Sequence, residues 1–258
     1  MLYFTGTATC INHLERHGMA ADYYVSKDAQ IGAGCHIGNN AVIEDGAAIG
    51  QGVTIGHGAV ILSGTVIGEG CEVGSNSTLG KQPRAAAAST RSVEAVSPLR
   101  IGPDCVVGSS CVIYAGSTFE SECYVGDLAG IREQCALAKA ALVGRMVTME
   151  SRVTVGAGSR IMTGAYITGE TTIEEGVFIG PKVVTTNDRN LDMSRDAIFK
   201  GPTVKARAAV GAGACLLAGI TIGEGAIVGM GAVVIDDVPA GRLYVGVPAR
   251  DAGEVRSI

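Results

Sequence analysis

Apolar residues recur along this chain at every sixth position. One series runs Val25, Ile31, Ile37, Ile43, Ile49, Ile55, Ile61, Ile67, Val73 and Leu79. The phase breaks, resumes at Ile101 and continues to Ile179, then breaks again and resumes from Val204 to Val234. An amphipathic helix repeats at 3.6 and a half-buried strand at 2, so a period of six marks a structural repeat and not a single element. The second position of the hexad is often Gly, as in Gly32, Gly38, Gly50 and Gly56, which suits a tight corner. The fifth is small or β-branched, as in Cys35, Ala41, Ala47, Val53 and Ala59. Each hexad therefore predicts one short strand and one turn, and three hexads close one coil. Coils stacked at the interstrand spacing of ~4.8 Å give an all-β, parallel β-helix of about ten coils with aliphatic ladders inside. The expected organisation is an N-terminal cap segment over 1–24, the β-helix over 25–239 with insertion loops at 81–100 and 185–203, and a C-terminal tail over 240–258.

Composition sharpens this picture. The chain has 258 residues, 38 of them Gly, no Trp, 4% aromatics and 47% hydrophobic residues. That is too apolar for disorder and too poor in aromatics for an ordinary mixed core. A formal charge of −5 argues against a nucleic-acid or anionic-membrane partner. No stretch approaches the ~18 consecutive apolar residues of a membrane span. The opening MLYFTGTATCINHLERHG lacks the basic-then-apolar order of a secretory signal, so a cytoplasmic location is expected. Cys35, Cys71, Cys105, Cys111, Cys123 and Cys135 all fall at the small fifth position and read as core spacers, not as disulfides or zinc ligands.

Function is expected where the repeat is interrupted. The segment 81–100 carries Lys81, Arg84, Arg91 and Arg100 in an otherwise acidic chain, either a solvated loop or a clamp for an anionic ligand such as a nucleotide pyrophosphate. The segment 185–203 is dense in Asn, Asp and Arg. Stacking by eighteen aligns Gln134, Arg152, Glu170 and, if the register survives the start of the second insertion, Asp188. A neighbouring column pairs Arg132 with Glu150, which reads most simply as structural. His13 and His17 are spaced i, i+4 without further ligands nearby, and no metal site is expected.

The pattern [LIV]-G-x-x-[small]-x resembles that of the hexapeptide-repeat acyltransferases, whose β-helix is left-handed. The resemblance spans residues 25 to about 250, and the ending GITIGEGAIVGMGAVVIDDVPAGRLYVGVPAR is similar to that family's C-terminal coils. It implies a homotrimer with acetyl-CoA bound along those coils, for which Lys205, Arg207, Gly211, Gly229 and Arg250 are the candidate residues. A narrower stretch, GVFIGPKVVTTND, resembles the nucleotide-sugar N-acyltransferases. It implies that Asn187 and Asp188 lie beside the acceptor amine. One branch carries a Glu eighteen residues before that Asn; here the position is Gly169, with Glu170 next to it. The stretch YVGDLAGIRE, holding Arg132 and Glu133, resembles a less studied hexapeptide subfamily.

The expected activity is direct acetyl transfer from acetyl-CoA to the amine of a nucleotide-linked amino sugar. Asp188, Asn187 and Glu170 are the candidate catalytic residues. Lys81, Arg84, Arg91, Arg132, Glu133 and Arg152 are the candidate substrate-binding residues. Two carboxylates one coil apart, Glu170 and Asp188, would have one pKa raised towards that of a base. His36 and His57 lie at outward positions far from the second insertion, which favours an amine over a hydroxyl acceptor. Another small amine, such as an amino acid or an antibiotic, and a noncatalytic scaffold are the alternatives. A γ-class carbonic anhydrase would need three His ligands for its zinc, and only His36 and His57 lie on the prism.

Overall fold

The structure is a computed structural model that describes residues 22–85, 87, 94–191 and 199–255. His13, His17 and Arg91 lie outside the described residues. Among the described residues every strand lies in one of three sheets of eleven, ten and twelve strands, parallel except for one closing strand, and no helix is present. Face A begins at Tyr24–Val25, face B at Gln30–Ile31 and face C at His36–Ile37. Most strands are two residues long, one pointing out and the next in. Each pairs with the strand one coil away, as in Ile37 with Ile55 and Ile131 with Met149. The parallel β-helix expected from the hexads is therefore the fold.

The first hexad position faces inward: Ile43, Ile61, Ile113, Ile161 and Ile167 are each 0% exposed. Burying a side chain of that size is worth ~1.5–3 kcal/mol. The fifth position fills the space between ladders, and the six spacer cysteines are buried as free thiols. Burial pushes the Cys135 thiol up to about 12. The stack continues beyond 239. Arg242–Val245 still pairs in parallel with the face C strand Ile227–Val228, and Arg250–Glu254 folds back antiparallel against it.

The glycines at the second hexad position are not spread evenly. Nine lie at the corner leading from face C to face A, from Gly38 to Gly229, and six at the corner from B to C, from Gly32 to Gly223. A Cβ on Gly74 would stand 2.4 Å from the carbonyl carbon of Gly108, so these two corners bring successive coils too close for a side chain there. At the corner from A to B only Gly80 is glycine; the same position otherwise carries Ser26, Glu44, Leu62, Tyr114, Arg132, Glu150, Thr168, Thr186, Leu217 and Ile235. One edge of the prism thus displays side chains along almost its whole length, where the other two are pinched at most of their turns, with Glu120, Ala138, Glu174 and Lys205 as the exceptions from B to C and Met162 from C to A.

Candidate active site at the A–B edge

Both insertions leave from this edge. The first separates the face A strand Thr78–Lys81 from the face B strand Arg100–Ile101, and the second separates Val184–Thr185 from Thr203–Val204. The coils between them put a polar wall on the edge. Glu133, Ser151, Thr168, Thr171 and Thr185, all buried, belong to it. They are tied down locally: Thr171 Oγ1 donates to the Thr168 carbonyl at 2.7 Å, and the Thr168 amide donates to Thr185 Oγ1 at 2.8 Å.

Arg132 and Glu133 form the centre. Arg132 Nε and Nη2 donate to the two Glu133 oxygens at 2.9 and 3.2 Å, and Nη1 lies 3.8 Å from Glu150. Burial, the largest single influence, works against the Arg132 charge, but the Glu133 hydrogen bond together with the charges of Glu133 and Glu150 outweighs it and raises the Arg132 pKa. Ser117 Oγ holds the Arg132 carbonyl at 2.9 Å, fixing the backbone beneath. The Arg132 guanidinium carbon stands 5.0 Å from the centre of the Tyr114 ring, and Lys81 Nζ stands 5.4 Å from the same ring. Lys81 reaches it through a bulge. Leu79 pairs with Ile113, Gly80 is skipped at φ +87°, and Lys81 pairs with Tyr114. Gly80 also lies against Thr65, whose buried Oγ1 is the one such side-chain atom without a partner among the described residues.

The base of the first insertion folds back over this edge. Gln82 clasps Val96 with its side-chain amide, donating to the carbonyl at 3.0 Å and accepting from the amide at 3.2 Å. Gly116 donates its amide to Ser97 at 2.6 Å, and a Cβ on Gly116 would meet Val96 at 3.0 Å. Arg84 is exposed at the start of the loop.

Further along the edge, Arg152 pairs through Nε with Glu170. Asn187 stacks one coil above Gly169, its Nδ2 3.6 Å from where a Cβ on Gly169 would stand. Asp188 does not stack over Glu170. The second insertion opens at Thr186, and Gly201, at the far end of the loop, takes the place above Glu170, where its Cβ would lie 2.7 Å from the Glu170 carbonyl carbon. Asp188 instead accepts the Asn190 amide at 2.9 Å, and Glu170 is engaged by Arg152, so the structure shows no carboxylate pair of the kind expected. Lys200 donates its amide to the Asn187 carbonyl at 2.9 Å and closes the base of the loop.

The residues expected along coenzyme A do not gather at one edge. Lys205 and Arg207 lie at the B–C corner. There Lys205 bonds Glu174 at 2.7 Å, lowering the Glu174 pKa, and Arg207 pairs with Glu224. Gly211 and Gly229 lie at the C–A corner, where their would-be Cβ atoms meet Met230 N at 2.6 Å and Val245 Cγ1 at 2.7 Å. Arg250 is on the closing strand and bonds the Ala249 carbonyl at 2.9 Å. Sequence reading missed Tyr114 and Gln82. The signal for Tyr114 was present: it is the one aromatic residue at a second hexad position.

Comparison with known proteins agrees with the repeat. Residues 46–81 match the family profile described as bacterial transferase hexapeptide (six repeats), and residues 98–127 and 206–235 match the hexapeptide repeat of succinyl-transferase. The chain is 32% identical over 150 residues to the bifunctional protein GlmU of Heliobacterium modesticaldum, covering 57% of this chain and 30% of that protein. To GlmU of Pseudoalteromonas atlantica it is 30% identical over 130 residues, covering 46% and 28%. It thus spans about a third of the length of these relatives. Among solved structures, a UDP-N-acetylglucosamine acyltransferase from Campylobacter jejuni is similar with a TM-score of 0.48 at 18% identity, over 90% of this chain and 72% of that one. A GDP-perosamine N-acetyl transferase from Caulobacter crescentus, in complex with CoA and GDP-perosamine, gives 0.38 at 21%, over 59% and 71%. The chain thus carries, over 46–81, 98–127 and 206–235, hexapeptide repeats of the kind that these transferase profiles describe.

Proposed function

We propose that this protein is an acyl-CoA-dependent N-acetyltransferase acting on the amine of a nucleotide-linked amino sugar. The observation that carries the reading is the A–B edge: one edge of three bears a polar wall, with both insertions departing from its two ends. The transferase repeat and the GlmU likeness support acyl transfer. Asn187 and Asp188 orient the amine, with Glu170 held by Arg152 beside them. A neutral amine of pKa near ~8 attacks the thioester carbonyl directly. Asp188 accepts the proton that nitrogen loses and passes it to the departing sulfur, so that coenzyme A leaves as the thiol and the carboxylate is restored. A backbone N–H of a coil turn steadies the oxyanion. Lys205, Arg207, Gly211, Gly229 and Arg250 are candidates for coenzyme A contact; their division between two corners of one chain is compatible with a groove formed between copies.

The outer surface of face A is largely apolar, with Val112, Tyr166 and Val184, and face C sets Tyr124, Leu142 and Phe178 among His36, Glu72 and Arg160, whereas the middle of face B presents Thr118, Thr154 and Thr172. This supports a homotrimer that covers A and C and leaves B in water. Among the described residues no helix is long and apolar enough to cross a membrane. The reading places the enzyme in the cytoplasm, where acyl-CoA is available.

Calorimetric titration with acetyl-CoA, then with UDP- and dTDP-amino sugars, tests the class. Acetyl-CoA binding with turnover of one such sugar is expected. Its absence leaves a noncatalytic scaffold, and turnover of a small amino acid or antibiotic amine instead would replace the acceptor. Asp188→Asn should cut kcat by about a hundredfold or more with the fold intact, the usual scale for general-base loss; full activity would remove Asp188 from the mechanism.

A further inference from the structure

We infer that Lys81, Tyr114 and Arg132 form an anion-binding platform that takes the phosphate-bearing end of the acceptor. The inference rests on the acyl-transfer reading for the identity of the acceptor, but the platform itself rests on geometry.

Two cations are gathered on one ring, Lys81 Nζ at 5.4 Å and Arg132 at 5.0 Å from the Tyr114 centroid. Glu133 already meets the Arg132 charge, so the Lys81 charge is the one left facing the ring with room for an anion. No salt bridge to Lys81 occurs among the described residues. Arg132 has five N–H donors. Glu133 takes Nε and one donor of Nη2, and Glu150 stands at 3.8 Å from Nη1, beyond hydrogen-bond reach. The outer donors of Arg132, whose side chain is 36% exposed, are therefore available to a ligand, while Glu133 holds the inner edge of the guanidinium in place.

The chain takes a local departure from its repeat to achieve this. Gly80 is the single glycine at the second hexad position on this edge, and its positive φ makes the bulge that brings Lys81 opposite Tyr114. Bulges of this kind re-aim side chains beside functional sites. An ordinary hexad would have left Lys81 at the next position of the turn, one residue out of register.

Distance then restricts the ligand. Arg132 and Asn187 are three coils apart on the edge, roughly 14 Å at the interstrand spacing. A ligand that meets the platform and presents an amine at Asn187 and Asp188 must be extended and carry an anionic group away from the amine. A nucleoside diphosphate carrying an amino sugar meets both conditions; a free amino acid, though it bears a carboxylate, is too short.

The test uses the full chain and three probes: inorganic pyrophosphate, a nucleoside diphosphate (UDP, dTDP and GDP in turn) and acetyl-CoA. At least one diphosphate should bind the wild type, with an affinity that falls as salt rises. Lys81→Met should weaken that binding about tenfold, roughly the loss of one charge-assisted contact, and flatten its salt dependence, while leaving acetyl-CoA binding unchanged. Tyr114→Leu should weaken it further, and Tyr114→Phe, which keeps the ring, should not. Acetyl-CoA binding without any diphosphate or pyrophosphate binding overturns the platform and leaves acyl transfer standing. Diphosphate binding without acetyl-CoA binding does the reverse. Equal diphosphate affinity in wild type and Lys81→Met also overturns the platform, whatever the activity.

Discussion

At the scale of single residues, the fold makes sharply different demands on glycines that look alike in the sequence. Gly74 and Gly158 are both turn glycines. A Cβ on Gly74 would meet the Gly108 carbonyl carbon at 2.4 Å, whereas one on Gly158 would meet nothing within 4 Å and faces only its φ of +65°. Gly74→Ala must push two coils apart and should cost ~1–3 kcal/mol, the scale of overpacking. Gly158→Ala should cost about 1 kcal/mol from the left-handed backbone alone. Chemical denaturation of the two variants checks the order, and equal losses would refute the account. The buried thiols make a separate demand. Burial holds Cys135 at about 12, and Cys105, where the hydrogen bond to Cys123 leads and burial adds, is raised to about 11. In the unfolded chain such thiols ionise near ~8.5. Raised folded-state values mean that this stabilisation is fully present below about 8.5 and is lost as pH rises towards the folded values, because the unfolded chain then releases protons that the native state retains. The midpoint of thermal unfolding should fall between pH 8.5 and 11, and Cys135→Val should soften that fall. A midpoint flat over this range would contradict it.

At the scale of elements, strands and their phase were legible from the hexads because an inward aliphatic every sixth residue admits few other geometries. The interruptions were legible too, since the same phase stops at Leu79 and Ile179. Hidden from the sequence was which corner each turn would occupy. That depends on counting hexads in threes across insertions, and each insertion resets the count on one side only. Gly201, not Asp188, completes the coil above Glu170 for this reason: the strand Thr203–Val204 fixes the register from the far side of the loop. The bulge at Gly80 was invisible as well, because a glycine at the second hexad position looks like all the others. The Gln82 clasp on Val96 is the element-scale feature most open to test. Gln82→Ala removes both of its hydrogen bonds and should raise hydrogen exchange of the Val96 amide, with little change in global stability. Unchanged exchange would mean that the Ser97–Gly116 bond alone holds the loop base.

At the scale of the whole molecule, the three edges divide the labour. Two are pinched by glycine and keep the prism narrow. The third holds side chains apart from the core and receives both insertions, so chemistry is confined to a strip while the remaining surface is left for packing or for water. Placing the wall on rigid coils and leaving the variable segments to its ends is the arrangement expected of a site that must hold its geometry.

The pairing pattern also has a bearing on how such a chain comes to be folded. Away from the two insertions, each strand bonds to the one eighteen residues behind it, as Val107 does with Val125 and Val125 with Val143. No coil waits for a distant segment to arrive. Stability in such stacks is carried by nearest neighbours, and growth can propagate from any formed pair. The early coils can therefore settle while later ones are still being synthesised, and the antiparallel return at Arg250–Glu254 closes the growing end last. Until it does, the face C strand at Arg242–Val245 is an open template, and that interval is when a nascent copy is most exposed to pairing with the wrong chain.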